Sequence, residues 1–504
     1  MLHAIALQNF KAYEELKELE LRPLTVFCGS NAVGKSSVIQ SLLMMQQTIS
    51  GQPSGHSVPL VTDGEDVSLG DYADLLFGHD LERCLRIELT VPLTWGERGF
   101  WEEPVNLTLQ FSYSTENTPY FVDRGEWERF FRFRDAMPDL GRLRLIAKGN
   151  DGRDLVTVKM GQHDYDEYYN LMGLEVDLTF GEQMKHADRH FKGPVAGIER
   201  IEDWFDETKR DGVTLTEWDD DCGAEELVGL VSRMLYEASR RLTIRYVGPA
   251  REAPQRYYDV DKRSVRTGSR RHGQSNWKTD VAQFGERSSV RKPLEEPRRL
   301  SEHEVSRLRT PLRSIPYIPA SIALDEAVNS WLSYLGLPEV HPVREGRDFR
   351  FAVPSPYANQ CSVSVTDTGY GVSQVLPILL ACLAGSEEVV VLDQPELHLH
   401  PRVQTGIADF AMAAAERRQV LVETHSGHFV NRIVRRVVEG KVNSEDVAVY
   451  FFTPTADGPH VEMVEIDPTF GIKNWPRDFF DDYANEQEAI IRASLERRAK
   501  GDST

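Results

Sequence analysis

The sequence predicts an α/β fold arranged around a single phosphate-binding site, and three observations predict it. First, Gly29-Ser30-Asn31-Ala32-Val33-Gly34-Lys35-Ser36 fits the pattern GxxxxGK[ST]. Second, the apolar run Leu24-Thr25-Val26-Phe27 precedes it, while Val38, Ile39, Leu42 and Leu43 follow at helical spacing. Third, much later in the chain, Val389-Val390-Val391-Leu392 runs straight into Asp393, as a buried strand ending in a carboxylate would. In a strand–loop–helix of this kind the backbone N–H groups cradle phosphates, and the lysine and hydroxyl serve the phosphates and Mg²⁺. Gly29 to Ser36, with Ser37 beside them, are therefore the expected nucleotide contacts.

Taken in order, residues 2–12 read as a first strand that ends in Asn9-Phe10-Lys11-Ala12-Tyr13. Residues 51–59 are rich in Gly, Pro and Ser and read as a loop, followed by Ser68-Leu69-Gly70-Asp71-Tyr72-Ala73-Asp74. Leu85-Arg86-Ile87-Glu88-Leu89 and Leu107-Thr108-Leu109-Gln110-Phe111 alternate apolar and polar residues, which predicts antiparallel strands with one wet face. Leu143-Arg144-Leu145-Ile146 and Leu155-Val156-Thr157-Val158 continue the trend, and helical spacing returns over residues 227–242. No heptads are sustained, so no long coiled-coil arm is expected. Residues 322–335 predict another helix. Then Val363-Ser364-Val365 leads to Asp367-Thr368-Gly369-Tyr370-Gly371-Val372-Ser373-Gln374, a Gly-rich turn opening an apolar helix. Such an end suits an anion, because first-turn N–H groups are unpaired and the helix dipole favours negative charge.

At 504 residues the chain exceeds one ordinary core, so two or three lobes are expected. The division predicted is an N-terminal core part (1–83), a mixed β/α insertion lobe (84–249), a basic loop (250–314), a C-terminal core part (315–475) and a tail (476–504). No run approaches the roughly 20 apolar residues of a membrane span, and Met1-Leu2-His3-Ala4 lacks a signal-peptide pattern. Cys28, Cys84, Cys222, Cys361 and Cys382 form no CxxC pair, which predicts reduced thiols and a cytoplasmic protein. The formal net charge of −21 argues against a surface that attracts nucleic acid everywhere. Acids crowd between Glu202 and Glu226, whereas bases such as Arg263, Arg266, Arg270, Arg271, Arg291 and Lys292 gather between Arg251 and Arg313. That basic stretch reads as a solvated linker or as a contact for nucleic acid or an acidic partner.

At the second strand, Asp393 can hold Mg²⁺ directly or through water. A carboxylate at the next position could act as general base on an attacking water. Gln394 can only orient that water, since an amide has no basic oxygen near neutral pH. Glu396, two residues on, is the available substitute. Gln419-Val420-Leu421-Val422-Glu423-Thr424-His425-Ser426 is a further apolar strand ending in polar residues, where His425 can reach a phosphate and sense it. His398 and His400 lack a further ligand at metal-site spacing, and Asp219-Asp220-Asp221 lies inside the acidic run, so neither predicts a metal centre.

Together these motifs resemble the ABC-type ATPase heads of the SMC and RecF class, and more closely the OLD-like ATPases of bacterial anti-phage defence. Asn9-Phe10-Lys11 resembles that family's opening strand, which brings Lys11 among the nucleotide contacts, and Leu69-Gly70-Asp71-Tyr72 resembles its next stretch. Asp367 to Gln374 is similar to the signature loop, with Gly371 and Ser373 as its candidate contacts. Pro395-Glu396-Leu397-His398-Leu399-His400-Pro401 is similar to the segment past the second strand, and Glu423-Thr424-His425-Ser426 to the switch-histidine strand. Gly471-Ile472-Lys473-Asn474-Trp475-Pro476 resembles the C-terminal signature of one subgroup, and Tyr246-Val247-Gly248-Pro249 with Arg251-Glu252 carries the only likeness in the middle of the chain.

The resemblance implies an ABC/SMC-head-like P-loop ATPase in which ATP, with Mg²⁺, lies between the phosphate loop of one protomer and the signature loop of another. It implies a homodimer or larger oligomer and a separate effector, since the residues after His425 are too few for an appended nuclease domain. Two departures stand out: Gln394 replaces the usual catalytic glutamate, which implies slow hydrolysis, and no glutamine near Gly70 matches the family's metal-contacting loop. The alternative is a RecF-like DNA-repair ATPase using the basic stretch; the ATPase of a membrane transporter fits the inserted lobe poorly.

Overall fold

The computed structural model describes residues 1–50, 60–64, 66–93, 105–113, 140–148, 154–163, 173–180, 189–194, 241–249, 251, 258–259, 324–345, 348–355, 361–368, 370–384, 389–456, 458–476, 479–480 and 482–499. The acidic run, its Asp219-Asp220-Asp221, the 51–59 loop, Gly369 and nearly all of the basic stretch lie outside these residues.

The first strands are β1 (Ala4–Phe10), β2 (Tyr13–Glu20) and β3 (Leu24–Gly29), followed by helices α1 (Lys35–Ser50) and α2 (Tyr72–Leu75). Strands β4 (Leu85–Leu93), β5 (Val105–Tyr113), β6 (Leu140–Lys148), β7 (Asp154–His163), β8 (Gly173–Phe180) and β9 (Arg189–Pro194) come next, then β10 (Ile244–Val247) and β11 (Tyr258–Asp259). Helix α3 (Leu324–Tyr334) and strands β12 (His341–Glu345), β13 (Asp348–Pro354) and β14 (Ser362–Ser364) lead to α4 (Tyr370–Ala384). The C-terminal part holds β15 (Val389–Asp393), α5 (Pro401–Ala415), β16 (Gln419–Thr424), α6 (Gly427–Val438), β17 (Val447–Thr455), β18 (Gly458–Met463), β19 (Ile466–Asp467), β20 (Gly471–Ile472) and α7 (Asp482–Ala499).

The site is positioned by a six-stranded sheet in the order β10-β15-β16-β3-β17-β18, parallel except for the β18 edge. Strands β15 and β16 are buried along their whole length, as parallel strands covered on both faces must be. Alternation along the strands divides them between two cores. Leu24, Val26, Val390, Leu392, Val420 and Val422 pack with the apolar faces of α3, α4, α5 and α6. Phe27, Val389, Val391 and Leu421 pack on the other side with Val38, Ile39, Leu42 and Leu43 of α1 and with Ile5, Leu7, Ile87 and Leu89. The fold is thus α/β, with helices on one face of the parallel sheet and α1 plus a second sheet on the other.

That second sheet has eight antiparallel strands in the order β2-β1-β4-β5-β6-β7-β8-β9. The predicted one-faced pattern holds at β4, where Leu85, Ile87, Leu89 and Val91 are fully buried while Arg86, Glu88 and Thr90 stay partly exposed. Two features cut across the division expected from sequence. Strand β4 pairs with β1, opposing Ile5 to Leu89, so one sheet runs through the 83/84 boundary. Strand β10, expected in the insertion lobe, pairs in parallel with β15 and places Val247 beside Leu392. Both follow from hydrogen bonding: an unpaired edge is satisfied by whichever strand reaches it, however distant in sequence. Among the described residues no helix is long and apolar enough to cross a membrane.

Candidate active site

The phosphate loop leaves the C-terminal end of β3, in the middle of the parallel sheet, and closes into α1 at Lys35. Gly29 has φ +126°, and a Cβ there would stand 2.2 Å from the Phe452 carbonyl oxygen. Only glycine allows β17 to lie so close, and the Ser30 N–H donates to that same carbonyl at 3.2 Å. Gly34, at φ +95°, lies under the Tyr13 ring, whose hydroxyl donates to the Gly34 carbonyl at 2.9 Å. The β1–β2 hairpin is therefore pinned on the loop, and its turn carries Lys11, whose Nζ donates to Gln40 Oε1 on α1 at 2.7 Å.

Around this loop lies an open cavity of about 810 Å³, lined by Lys11, Ala12, Asn31 to Ser37, Gln394, Glu423 and His425. The structure thus gathers residues from the two ends of the chain. Register explains how: β15 and β16 pair Asp393 with Glu423, and β16 and β3 pair Thr424 with Cys28, so three strand ends finish at one rim. This is where an open α/β sheet presents its ligand site.

Lys35 is buried, and its ammonium donates to the carbonyls of Gly29 (3.3 Å) and Ser30 (2.5 Å). Burial lowers its pKa, opposed by Glu423 and Asp393. Gln394 lines the cavity with φ +44°, a left-handed conformation that costs a non-glycine residue about 1 kcal/mol, and its N–H donates to the Glu423 carbonyl at 2.8 Å. Burial raises the pKa of Asp393, whose Oδ2 accepts from the Tyr246 hydroxyl at 2.7 Å. His425 Nδ1 lies 3.2 Å from the Gly29 carbonyl, which can only accept, so that nitrogen carries a proton. Burial and Lys35 lower the pKa of His425, which favours the neutral ring and leaves Nε2 as its acceptor.

The structure places Glu396 differently from the role expected of it. Its Oε1 accepts the His425 N–H at 2.7 Å, and Glu396 does not line the cavity. Its contact is with the histidine strand, at the backbone of His425. Gly371 and Ser373, at the start of α4, do not line this cavity either. His400 caps α5, its Nδ1 accepting the Arg402 N–H at 3.2 Å, and among the described residues no group of three His, Cys, Asp or Glu is placed to hold a metal unaided.

Three functional positions carried no assigned role in the sequence. Glu423 is 2% exposed, and its Oε1 accepts from the Ser36 hydroxyl at 2.8 Å. Its pKa is pushed up to about 7, first by burial and then by Asp393. A signal was present: like Asp393, it is an acid closing an apolar strand. Tyr246 holds Asp393, and Arg251 joins two motifs. The Arg251 guanidinium donates to Gln374 Oε1 on α4 (3.0 Å) and to the carbonyls of Gln394 (2.9 Å) and Pro395 (3.4 Å). Burial brings its pKa down to about 10.

These residues fit a nucleotide with Mg²⁺. Asp393 Oδ1 and Glu423 Oε2 are buried without a hydrogen-bond partner, which is costly for acids unless a cation or donor arrives. Ser36 and Asp393 would hold Mg²⁺, and Lys35 and the loop N–H groups would hold the phosphates. The bound metal would neutralise phosphate charge.

The chain's two ends also match ATPase sequence families. Residues 1–82 match an AAA ATPase domain, and residues 359–431 match an AAA domain described as putative AbiEii toxin, Type IV TA system. Residues 442–490 match a protein of unknown function, DUF3696. No curated protein matches the chain. Among solved structures, the Smc head bound to the C-winged helix domain of ScpA is 10% identical, covering 93% of this chain and 98% of that one at a TM-score of 0.37. The SMC head domain from Thermotoga maritima is 10% identical over 92% of this chain and 99% of that one, with TM-score 0.36. The Smc head with an extended coiled coil bound to the C-terminal domain of ScpA, from Pyrococcus furiosus, is 9% identical over 97% and 99%, also at 0.36. Scores this low add nothing to the strand order itself. The AAA matches cover the phosphate loop at one end and Asp393 and His425 at the other, so the chain carries an ATPase module divided between its two ends.

Proposed function

We propose that this ATPase works as a slow, ATP-gated switch: ATP and Mg²⁺ close two or more copies together, and the closed form acts on a separate effector in bacterial anti-phage defence. The observation that carries the slow-switch reading is Gln394, an amide on the cavity wall where the resembling ATPases carry a carboxylate. It can orient a water through its hydrogen bonds but cannot take its proton. Binding energy alone can shift a two-state assembly, provided ATP binds the closed form more tightly.

The dimer is supported by the position of Gly371 and Ser373, off the cavity of their own phosphate loop, where a second copy could present them. Arg251 supplies a link, since it bonds both α4 and the Gln394 backbone. The defence setting rests on the motif resemblance and suits the toxin–antitoxin description of one matched family. Turnover by wild type and Gln394→Glu tests the switch. The variant is expected to hydrolyse ATP at least about tenfold faster, by gaining a base. A fast wild type that gains nothing from the substitution refutes it. Light scattering with and without Mg²⁺–ATP tests assembly, for which a mass increase on ATP addition is expected.

A further inference from the structure

We propose that Glu423 is a second carboxylate of the Mg²⁺ site, acting with Asp393 and the Ser36 hydroxyl on the cation that accompanies the nucleotide. This rests on the reading of the cavity as an ATP site and assigns a residue within it.

Position is the first argument. Asp393 and Glu423 are direct partners in the parallel β15–β16 pair, so their side chains leave the same face of the sheet at adjacent strand ends. The second is contact. Glu423 Oε1 accepts the Ser36 hydroxyl hydrogen at 2.8 Å, and Ser36 is the hydroxyl that a GxxxxGK[ST] loop gives to Mg²⁺. Glu423 also lines the cavity itself. The third is an open valence. With only 2% exposure, Glu423 leaves Oε2 without a partner, and Asp393, 8% exposed, leaves Oδ1 in the same condition. Lys35 does not close this gap, because its ammonium is bonded to the carbonyls of Gly29 and Ser30.

Two neighbouring buried acids with one open oxygen each repel one another and are poorly solvated. A divalent cation relieves both costs at once. Mg²⁺ takes one or two carboxylates and completes its octahedron with water and phosphate oxygens.

The experiment measures ATP binding by the full chain, by calorimetry, in EDTA and then in rising Mg²⁺. The readout is the metal-dependent gain in affinity. Glu423→Gln keeps the shape and the hydrogen bond to Ser36 but loses the charge. In EDTA it is expected to bind ATP at least as tightly as wild type, because a negative neighbour of the phosphates has gone. Its gain on adding Mg²⁺ is expected to be about tenfold smaller, and Mn²⁺ titrated into the ATP complex, followed by electron paramagnetic resonance, should bind about tenfold more weakly. An unchanged Mg²⁺ gain overturns the assignment, as does a loss confined to turnover with metal affinity intact, which would make Glu423 a base on water. Should Glu423→Gln not fold, Glu423→Asp decides: its shorter reach is expected to cut the Mg²⁺ gain severalfold, and a wild-type gain overturns the proposal. Failure of wild type to bind ATP even in EDTA would instead sink the nucleotide reading.

Discussion

Among the described residues the parallel sheet has buried charge near it in two places, and they are built in opposite ways. At the first, Asp409 of α5 is fully buried and both of its oxygens are engaged. Arg436 of α6 meets both its oxygens at 2.7 and 3.0 Å, the Tyr334 hydroxyl of α3 donates at 2.6 Å, and Arg432 lies at 3.7 Å. At the second, Asp393, Glu396 and Glu423 are also buried, yet each leaves one oxygen unpartnered. A closed set of charges ties three helices together and has nothing left to offer a ligand. An open set is a stored cost that a bound cation or donor removes. Burial alone does not distinguish structural acids from working ones; the completeness of their bonding does.

The contrast can be broken by substitution. The largest effect is expected from Asp409→Asn, which leaves the buried Arg436 guanidinium with Glu439 as its remaining acid and should lower unfolding stability by about 3 kcal/mol in a denaturant titration. ATP affinity of the remaining folded chain should stay as in wild type; a parallel loss of binding would mean that the closed set also serves the site. Lys35→Ala is expected to do the reverse, removing at least about a hundredfold of ATP affinity by calorimetry while the melting temperature hardly moves.

Arg251→Met sharpens the comparison, since Arg251 bridges the two kinds of region by holding Gln374 and the Gln394 and Pro395 carbonyls. A loss of about 2 kcal/mol in stability is expected, together with severalfold weaker ATP binding, because the turn after Asp393 loses its support. The smallest effect is a pH slope. In the nucleotide-free chain Glu423 binds its proton up to about pH 7, against an ordinary value of 4.5, so the folded state holds more protons than the unfolded state between those limits. Its contribution to stability therefore falls as pH rises from 4.5 to 7, by roughly 1–3 kcal/mol, and stays low above that. Glu423→Gln should flatten this slope in denaturation curves taken across the range, whereas Asp409→Asn should leave it in place.

Much of the site was legible because its parts are local. The loop from Gly29 to Ser36 needs only a strand before it and a helix after it, and β3 and α1 supply them. Asp393 and His425 stand out as polar residues ending apolar runs, and the alternation from Leu85 to Val91 reports a sheet with one dry face. The direction of Glu396 was not legible because, past Pro395, nothing local says which way its side chain turns; the fold sends one oxygen to the His425 N–H. Glu423 was overlooked although it shares the pattern of Asp393, since a single acid beside a histidine has no partner visible in sequence.

What the chain determined by itself is the set of pieces: a phosphate loop and apolar strands ending in polar groups. Only the tertiary structure decided which strand ends meet. It set Glu423 against Ser36, Tyr246 against Asp393 and Arg251 against Gln374, and drew β10 into the central sheet. The reason is that parallel strands are joined by hydrogen bonds between segments distant along the chain, so their register, and with it every contact across the site, is settled by packing on both faces of the sheet rather than by neighbours in sequence.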